Sequence, residues 1–442
     1  METASTTEAR VLRKLTVRLT TFLSFIYVLA VVDRSNVSIA ALQMNQELKL
    51  SAAAFGLGAG LFFAGYALFE VPSNLALHRV GASVWIGRIM ITWGLLASAI
   101  GFTQGARSFY ILRFLLGAAE AGFLPGVVYY ISLWYPASRR GKPYAYFLSC
   151  SVLGYIAVGP VSTWVMTVSS GLLGLGGWRW LFVLEGMPCV LLGIVTLFYL
   201  TDYPAKAKWL APDEKAWLQD TLAAELRAQP PVEHRSVSSF LTDGRLWLMV
   251  GAYFWWNLGN LGLLFWLPSF LNSMSQGWST RAIGFLNSGP FVCAFVGMHL
   301  MTWYTRRTRD RASVLIVCSV VPFLALTMCA LTRSPMLAYG TICAAGFCMY
   351  ALLPIFWTLP AEYLGGRTAA AGIAFISSWT GVGGLLGPWL VGLIKQATGK
   401  YPLAIFALAL AFLFQGCFVV AMRIKKSPEA QPLSRALSAM SH

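Results

Sequence analysis

The sequence predicts an all-α integral membrane protein of twelve transmembrane helices in two six-helix pseudo-repeats. Three observations lead there. Of 442 residues, 57% are hydrophobic and only 11% charged, a composition unsuited to a water-exposed surface. A bilayer-spanning helix needs roughly 20 mostly apolar residues. Twelve such stretches, separated by short polar joints, lie at 19–41, 55–76, 84–102, 108–132, 144–167, 180–201, 246–271, 283–304, 312–331, 335–359, 371–395 and 402–422. Finally, three features recur at an offset of 228 residues. Arg79 maps onto Arg307 in the second joint of each half, Arg139 onto Arg367 in the fourth, and Gly159-Pro160 onto Gly387-Pro388 in the helix that follows. A site between two halves related in this way is the expectation.

Helix 1 is preceded by a basic tail (Arg10, Arg13, Lys14, Arg18), as a secretory leader would be. It is read instead as a spanning helix, because the apolar run is too long and carries Asp33 and Arg34. The net charge of +16 invites a nucleic-acid partner, but the charges sort by membrane side. With the N-terminus cytoplasmic, seven of the 33 Lys and Arg fall on the opposite side: Lys49, Arg107, Arg179, Arg281, Arg333, Lys395 and Lys400. Arg34, Arg88 and Arg113 fall within helices, and the remaining 23 are cytoplasmic. This positive-inside pattern predicts both termini in the cytoplasm and argues against a nucleic-acid partner; the chain is read as a multi-pass protein of the cell inner membrane.

The predicted domains are a first bundle (1–201), a cytoplasmic linker (202–245), a second bundle (246–422) and a cytoplasmic tail (423–442). The linker contains Pro230-Pro231 and an amphipathic stretch from Lys208 to Leu226. Trp209, Trp217, Leu218 and Leu222 there would lie on the membrane surface, or the segment is a solvated connector. Eight cysteines all fall in spans without a CxxC pair and read as packing residues. Gly56, Gly58 and Gly60 superficially resemble a nucleotide loop, but inside a membrane helix they suit close helix packing. No Walker motif, metal-ligand cluster or nucleophile elbow is present, so no cofactor, metal or enzymatic activity is expected.

Several strings are specific. They are Asp33-Arg34-Ser35-Asn36; Gly60-Leu61-Phe62-Phe63-Ala64-Gly65-Tyr66 running into Phe69-Glu70-Val71-Pro72-Ser73-Asn74; Arg88-Ile89-Met90-Ile91-Thr92-Trp93-Gly94; Arg113 through Phe123; and Trp178-Arg179-Trp180 through Gly186. Over nearly the whole chain, most densely in the first half, the sequence resembles the anion:cation symporter family of major facilitators. That resemblance implies the facilitator fold and proton-coupled import of sugar acids, hydroxy-dicarboxylates such as tartrate, or aromatic acids. One departure stands out. The general facilitator signature after helix 2 begins with Gly and has Asp five residues in, where this chain has Asn74 and His78.

An ionisable side chain at mid-membrane costs roughly 2.5–3.5 kcal/mol on the insertion scale, so each needs a partner, a cavity or a function. Asp33, Arg34, Glu70, Arg88, Arg113, Glu120 and Glu185 are the candidates. Arg113 and Glu120, seven apart on helix 4, share nearly one face, with Gly117 between them admitting a neighbour. They form either a structural tie to helix 1 or, as the resemblance implies, part of the proton-coupling machinery. Asp33 and Arg34 are adjacent, about 100° apart around the axis, and serve different partners. The expectation is that Arg34 faces the cavity and binds a substrate carboxylate, while Asp33 faces helix 4 and exchanges a proton; a pair near the helix end is the alternative. The resemblance implies that Tyr66 adds a hydroxyl to the cavity; packing is the alternative.

In the second half, Tyr253, Asn257 and Asn260 on helix 7, with Ser377, Ser378 and Trp379 on helix 11, line the site or bond between helices. Glu70 with Arg139 or Arg140 is expected to form a cytoplasmic gate, and Glu70, Arg88 and Glu185 are placed near helix ends. The resulting expectation is a functional monomer importing a small organic anion with protons by alternating access. A sensor of organic acids and a proton-coupled exporter are the competing classes. A sensor would tolerate loss of the coupling acids, and an exporter has no need of Arg34's anion selectivity.

Overall fold

The computed structural model describes residues 2–228, 237–274, 277–308, 310–364 and 366–424. Its helices run in order as α1 (Thr6–Glu47), α2 (Ala52–Val80), α3 (Ala82–Ile100), α4 (Ala106–Trp134), α5 (Gly141–Val168), α6 (Gly177–Tyr199), a linker helix (Pro212–Ala228), α7 (Gly244–Met274), α8 (Thr280–Thr308), α9 (Arg311–Leu331), α10 (Pro335–Leu364), α11 (Gly372–Thr398) and α12 (Pro402–Met422). All of these except α7 and the linker helix are long and apolar enough to cross a membrane, eleven among the described residues. At 31 residues, about 46 Å at 1.5 Å per residue, α7 is also long enough to span. Its Trp255, Trp256, Asn257, Asn260 and Trp266 dilute its apolar content, and most of the helix is buried inside the bundle.

Three spans are broken where the sequence predicts continuous helices. The first piece of α4 ends at Glu120, and Gly122 adopts the left-handed region (φ +85°) before helix resumes at Phe123. A side chain there would be strained and would also meet the Ser73 hydroxyl, which donates to the freed Ala121 carbonyl at 2.6 Å. Span α10 falls into Pro335–Met349, Leu352–Phe356 and Thr358–Leu364, and helix is interrupted at Trp379 before α11 continues. The α10 break at Tyr350 lies 228 residues after Gly122, so the interruption repeats in both halves.

The halves meet along α2 with α11, α5 with α8, and α1 with α7. Glycines permit this approach. A Cβ on Gly60 would lie 2.5 Å from the Leu385 carbonyl oxygen, and one on Gly159 would collide with the Gly284 carbonyl. On α2 and α11 the contacts run from Ala52 against Gly392 to Ala67 against Gly381, from the end opposite the linker to mid-depth. Further toward the linker side, Gly366–Ser378 packs on helices of its own half.

The linker helix and the residues just before it pack against the first bundle and the N-terminal tail. Trp209 just before it stacks on Trp134 of α4 (5.3 Å between centroids), and the Arg18 guanidinium covers the same indole at 5.2 Å. Lys14 pairs with Glu214 at 2.7 Å, and both Glu225 oxygens accept from the Ala137 N–H. Leu218 is fully buried. The basic N-terminal tail is itself helix and forms the first part of α1, joined to the rest through a π-helical turn at Thr16–Thr20. Pro230-Pro231 and the tail beyond residue 424 lie outside the described residues.

Candidate functional site

The charged groups of α1, α2 and α4 converge at mid-depth. Arg34 donates to the Glu120 carboxylate, an ion pair in which the arginine side chain keeps 18% exposure and the glutamate 1%. Glu120 is thus sealed behind an arginine that remains reachable from between the halves. The helix break at Ala121–Gly122 ends the first α4 piece at Glu120, where its carboxylate meets α1.

Arg113 is fully buried. Its Nε donates to the Gly58 carbonyl at 3.4 Å and its Nη2 to the Ala59 carbonyl at 3.2 Å. The close packing of α2 on α4 that brings those carbonyls within reach depends on Gly117, where a Cβ would strike the Phe62 carbonyl. The Phe62 ring lies within reach of both guanidinium groups, 5.0 Å from Arg113 and 5.2 Å from Arg34, and its π-face stabilises each cation. Tyr66 lies 5.4 Å from Arg34.

Asp33 is buried, and neither carboxylate oxygen makes a hydrogen bond of full geometry among the described residues, the Trp93 indole being the donor within interaction range. It sits within electrostatic reach of Glu120, Glu185 and Arg113, beside Trp93 of α3. The structure therefore brings Asp33, Arg34, Tyr66, Arg113 and Glu120 together. It does not pair Arg113 with Glu120. Their shared helical face is real, but Glu120 reaches Arg34 while Arg113 turns to the α2 backbone.

Two expectations need correcting. Glu70 is not joined to Arg139 or Arg140. It lies one turn after Tyr66 on the same face, within electrostatic reach of Arg34 and Tyr253, so it looks into the central space. Arg139 instead pairs with Glu8 at 2.7 Å, and Arg140 donates to the Tyr135 and Ser132 carbonyls. Glu185 is not at a helix end: it lies well inside α6 and accepts from Asn36 (2.9 Å) and Ser162 (2.8 Å). Arg88 does lie in the first part of α3, its guanidinium 4.0 Å from the Trp85 ring.

Across the seam the surroundings are aromatic. Tyr155 of α5 stacks with Phe291 at 5.3 Å and approaches Tyr350 at 5.9 Å, at the α10 break. Tyr253 stacks on Trp256 and Phe356, and the Trp256 indole donates to the Met349 carbonyl freed by that break. Asn257 is buried and donates to Tyr253's carbonyl on its own helix. Trp379 stands at the α11 break with its ring edge-on to Trp247 at 5.3 Å, and Ser377 is partly buried two residues before it. Sequence reasoning missed Tyr155, Tyr350, Asn36 and Ser162. Only Asn36, inside the Asp33–Asn36 string, carried a signal. A separate cavity of about 860 Å³ opens on the linker side of the second half, between Arg245, Arg306, Arg311, Glu362 and Tyr363, and holds none of the predicted site residues.

Residues 23–388 match the family model described as Major Facilitator Superfamily. The chain is 40% identical over 423 residues to a "Putative tartrate transporter" of Agrobacterium vitis, covering 96% of this chain and 93% of that one. It is 39% identical to a "Quinolone resistance transporter" of Acinetobacter baumannii, covering 92% and 93%. Among solved structures it is similar to a bacterial homolog of the human lysosomal transporter Spinster, with a TM-score of 0.73 at 17% identity over 94% of this chain and 99% of that one.

Proposed function

The chain belongs to the major facilitator superfamily and is a multi-pass membrane transporter; we propose that it imports a small organic carboxylate together with protons, by alternating access. The observation that carries this reading is the ion pair between Arg34, reachable from the central space, and Glu120, sealed behind it. With Glu120 ionised, Arg34 is already compensated and an arriving anion finds no free cation. Protonation of Glu120 releases Arg34, whose planar fork suits a carboxylate. Substrate and glutamate charge then compete for one guanidinium, which couples anion binding to proton binding.

Asp33 supplies a second acid beside Arg113. Loaded with proton and anion, or emptied of both, the cluster is neutral overall, and neutral states are the ones that reorient cheaply through a low-dielectric seam. Tyr66 and Glu70 line the first-half wall; Asn257, Ser377 and Trp379 contribute the second-half wall. The basic linker side is assigned to the cytoplasm by the positive-inside pattern, which places both termini there and the protein in the inner membrane. Closure between halves on the far side then makes this conformation inward-facing. The subgroup of tartrate-like carriers fits the named Agrobacterium relative.

Uptake of radiolabelled acids into proteoliposomes, across sugar acids, hydroxy-dicarboxylates and aromatic acids, with and without an imposed pH gradient, tests the proposal. Uphill accumulation of one carboxylate driven by the gradient is expected; uptake indifferent to it would sink proton symport. The aromatic second half and the quinolone-resistance relative favour one alternative, export of an aromatic acid. Efflux against a gradient in the same vesicles would reveal it.

A further inference from the structure

Among the first-half acids, Glu185 has neither a coupling role nor a place on the cavity wall. Glu185 is the ninth residue of α6 (Gly177–Tyr199), about 12 Å in from the helix start at 1.5 Å per residue. Helix α6 packs on α3, α1 and α5 of its own half, so this acid stands behind the cluster, away from the seam. No described cation forms an ion pair with it. Its oxygens are held instead by neutral donors, Asn36 Nδ2 at 2.9 Å and Ser162 Oγ at 2.8 Å. An intramembrane carboxyl with only neutral partners needs a reason to be there.

Asn36 follows Asp33 by one helical turn, so both acids address adjoining turns of α1, and each lies within electrostatic reach of the other. Between α1, α3 and α6 several buried polar atoms make no hydrogen bond of full geometry among the described residues: both Asp33 oxygens, Asn36 Oδ1, Trp93 Nε1 and Ser98 Oγ, with the Trp93 indole close enough to interact with Asp33 and Cys189. Ser98 abuts Gly186, next to Glu185. Buried polar atoms left open in one file are atypical of a packed bundle and suit a path for protons. The other groups facing this file are Glu120 and Arg113 from α4 and Cys189 from α6.

We propose that Glu185 is a third proton-carrying carboxyl, and that protons pass between Glu185 and Asp33 through the interior of the first half, not through the central cavity. The step is a proton transfer alone. The Glu185 carboxyl gives its proton to the Asp33 carboxylate, directly or across one hydroxyl or water. It is left as a carboxylate held by Asn36 and Ser162, and regains a proton from the outer side. The inference rests on the proton-symport reading above, so its test includes an arm that needs no substrate.

In that arm, pH-difference infrared spectra of the purified protein are recorded in the protonated-carboxyl stretching region. The expected result is a pH-dependent band that Glu185→Gln abolishes and Asp33→Asn displaces along the pH axis. A band unchanged in Glu185→Gln, or one that Asp33→Asn does not move, overturns the proposal. In the second arm, with radiolabelled tartrate as probe in proteoliposomes, Glu185→Gln loses gradient-driven uptake by about tenfold or more, keeps tartrate-for-tartrate exchange within about twofold of wild type, and Glu185→Asp regains part of the loss. A residue that merely clamps three helices would instead depress both activities together, and Glu185→Asp would restore neither. If wild-type tartrate movement ignores the pH gradient, proton symport itself fails, and the infrared arm still decides whether the two acids exchange a proton.

Discussion

The two halves share one fold and divide the chemistry between them. Asp33, Arg34, Glu70, Arg88, Arg113, Glu120 and Glu185 all lie in helices of the first half. At the 228-residue offset, the positions matching Asp33, Arg34, Arg113 and Glu120 hold Leu261, Gly262, Thr341 and Cys348. The second half presents Tyr253, Trp256, Tyr350 and Trp379 instead, with buried amides at Asn257 and Asn260. What is conserved between the halves is geometry, including the mid-membrane break at Gly122 and at Tyr350. A repeated scaffold can therefore carry energy coupling on one wall and substrate shape on the other, and substitutions should separate the two.

Arg34→Ala should have the largest effect. It removes the anion's anchor and strands Glu120, and breaking a buried pair from one side costs about 3–5 kcal/mol. Uptake falls below detection and thermal stability drops together, while Arg34→Lys recovers part of the stability but little of the transport. Retained uptake in Arg34→Ala would erase the proposed division. Next, Glu120→Gln and Asp33→Asn should lose gradient-driven accumulation while exchange persists, whereas Thr341→Val and Cys348→Ser, at the second-half positions matching Arg113 and Glu120 respectively, should leave coupling intact. Comparable uncoupling from the second-half changes would break the comparison.

The seam offers a test that ignores charge. Gly60→Val places atoms where the Leu385 carbonyl already sits, so closure on the outer side is obstructed. A cysteine introduced near the outer end of α5 or α8 should become more reactive toward a membrane-impermeant thiol reagent, with slower transport. Smaller effects come from the second half. Asn257→Ala or Trp379→Ala should shift substrate preference and raise KM about five- to thirtyfold, the range of 1–2 kcal/mol of contact energy, without altering the response to pH. Trp209→Ala, which removes the stacking on Trp134, should lower stability by about 1 kcal/mol and leave both coupling and selectivity alone.

Much of this was legible in the sequence, for identifiable reasons. Helix number and the repeat follow from hydropathy and spacing, which local composition records; α7 survived its three asparagines and its tryptophans because its length remained. Residues 33, 34, 113 and 120 announced themselves as charges in apolar surroundings. Their partners did not. Arg113 and Glu120 do share a face of one unbroken helix piece, but a shared face does not say which neighbour each side chain reaches: Glu120 meets Arg34 of α1 and Arg113 the carbonyls of α2. Glu70 looked like a gate residue because its helix was judged by depth and not by its shared face with Tyr66. The linker helix was judged by its amphipathic face without knowing that Trp134 waited to receive Trp209. Glu185 was set near a helix end because one sequence cannot show that Asn36 and Ser162 reach it from two other helices.

The central claim is that a substrate carboxylate and the Glu120 charge compete for Arg34. It is tested most directly by measuring anion binding to the purified transporter across pH, in wild type and in Glu120→Gln, by calorimetry with the acid identified in the uptake panel. Wild-type affinity should tighten as pH falls through the titration of the cluster, and Glu120→Gln should bind tightly with most of that pH dependence gone. Wild-type and Glu120→Gln curves that superimpose would contradict the account.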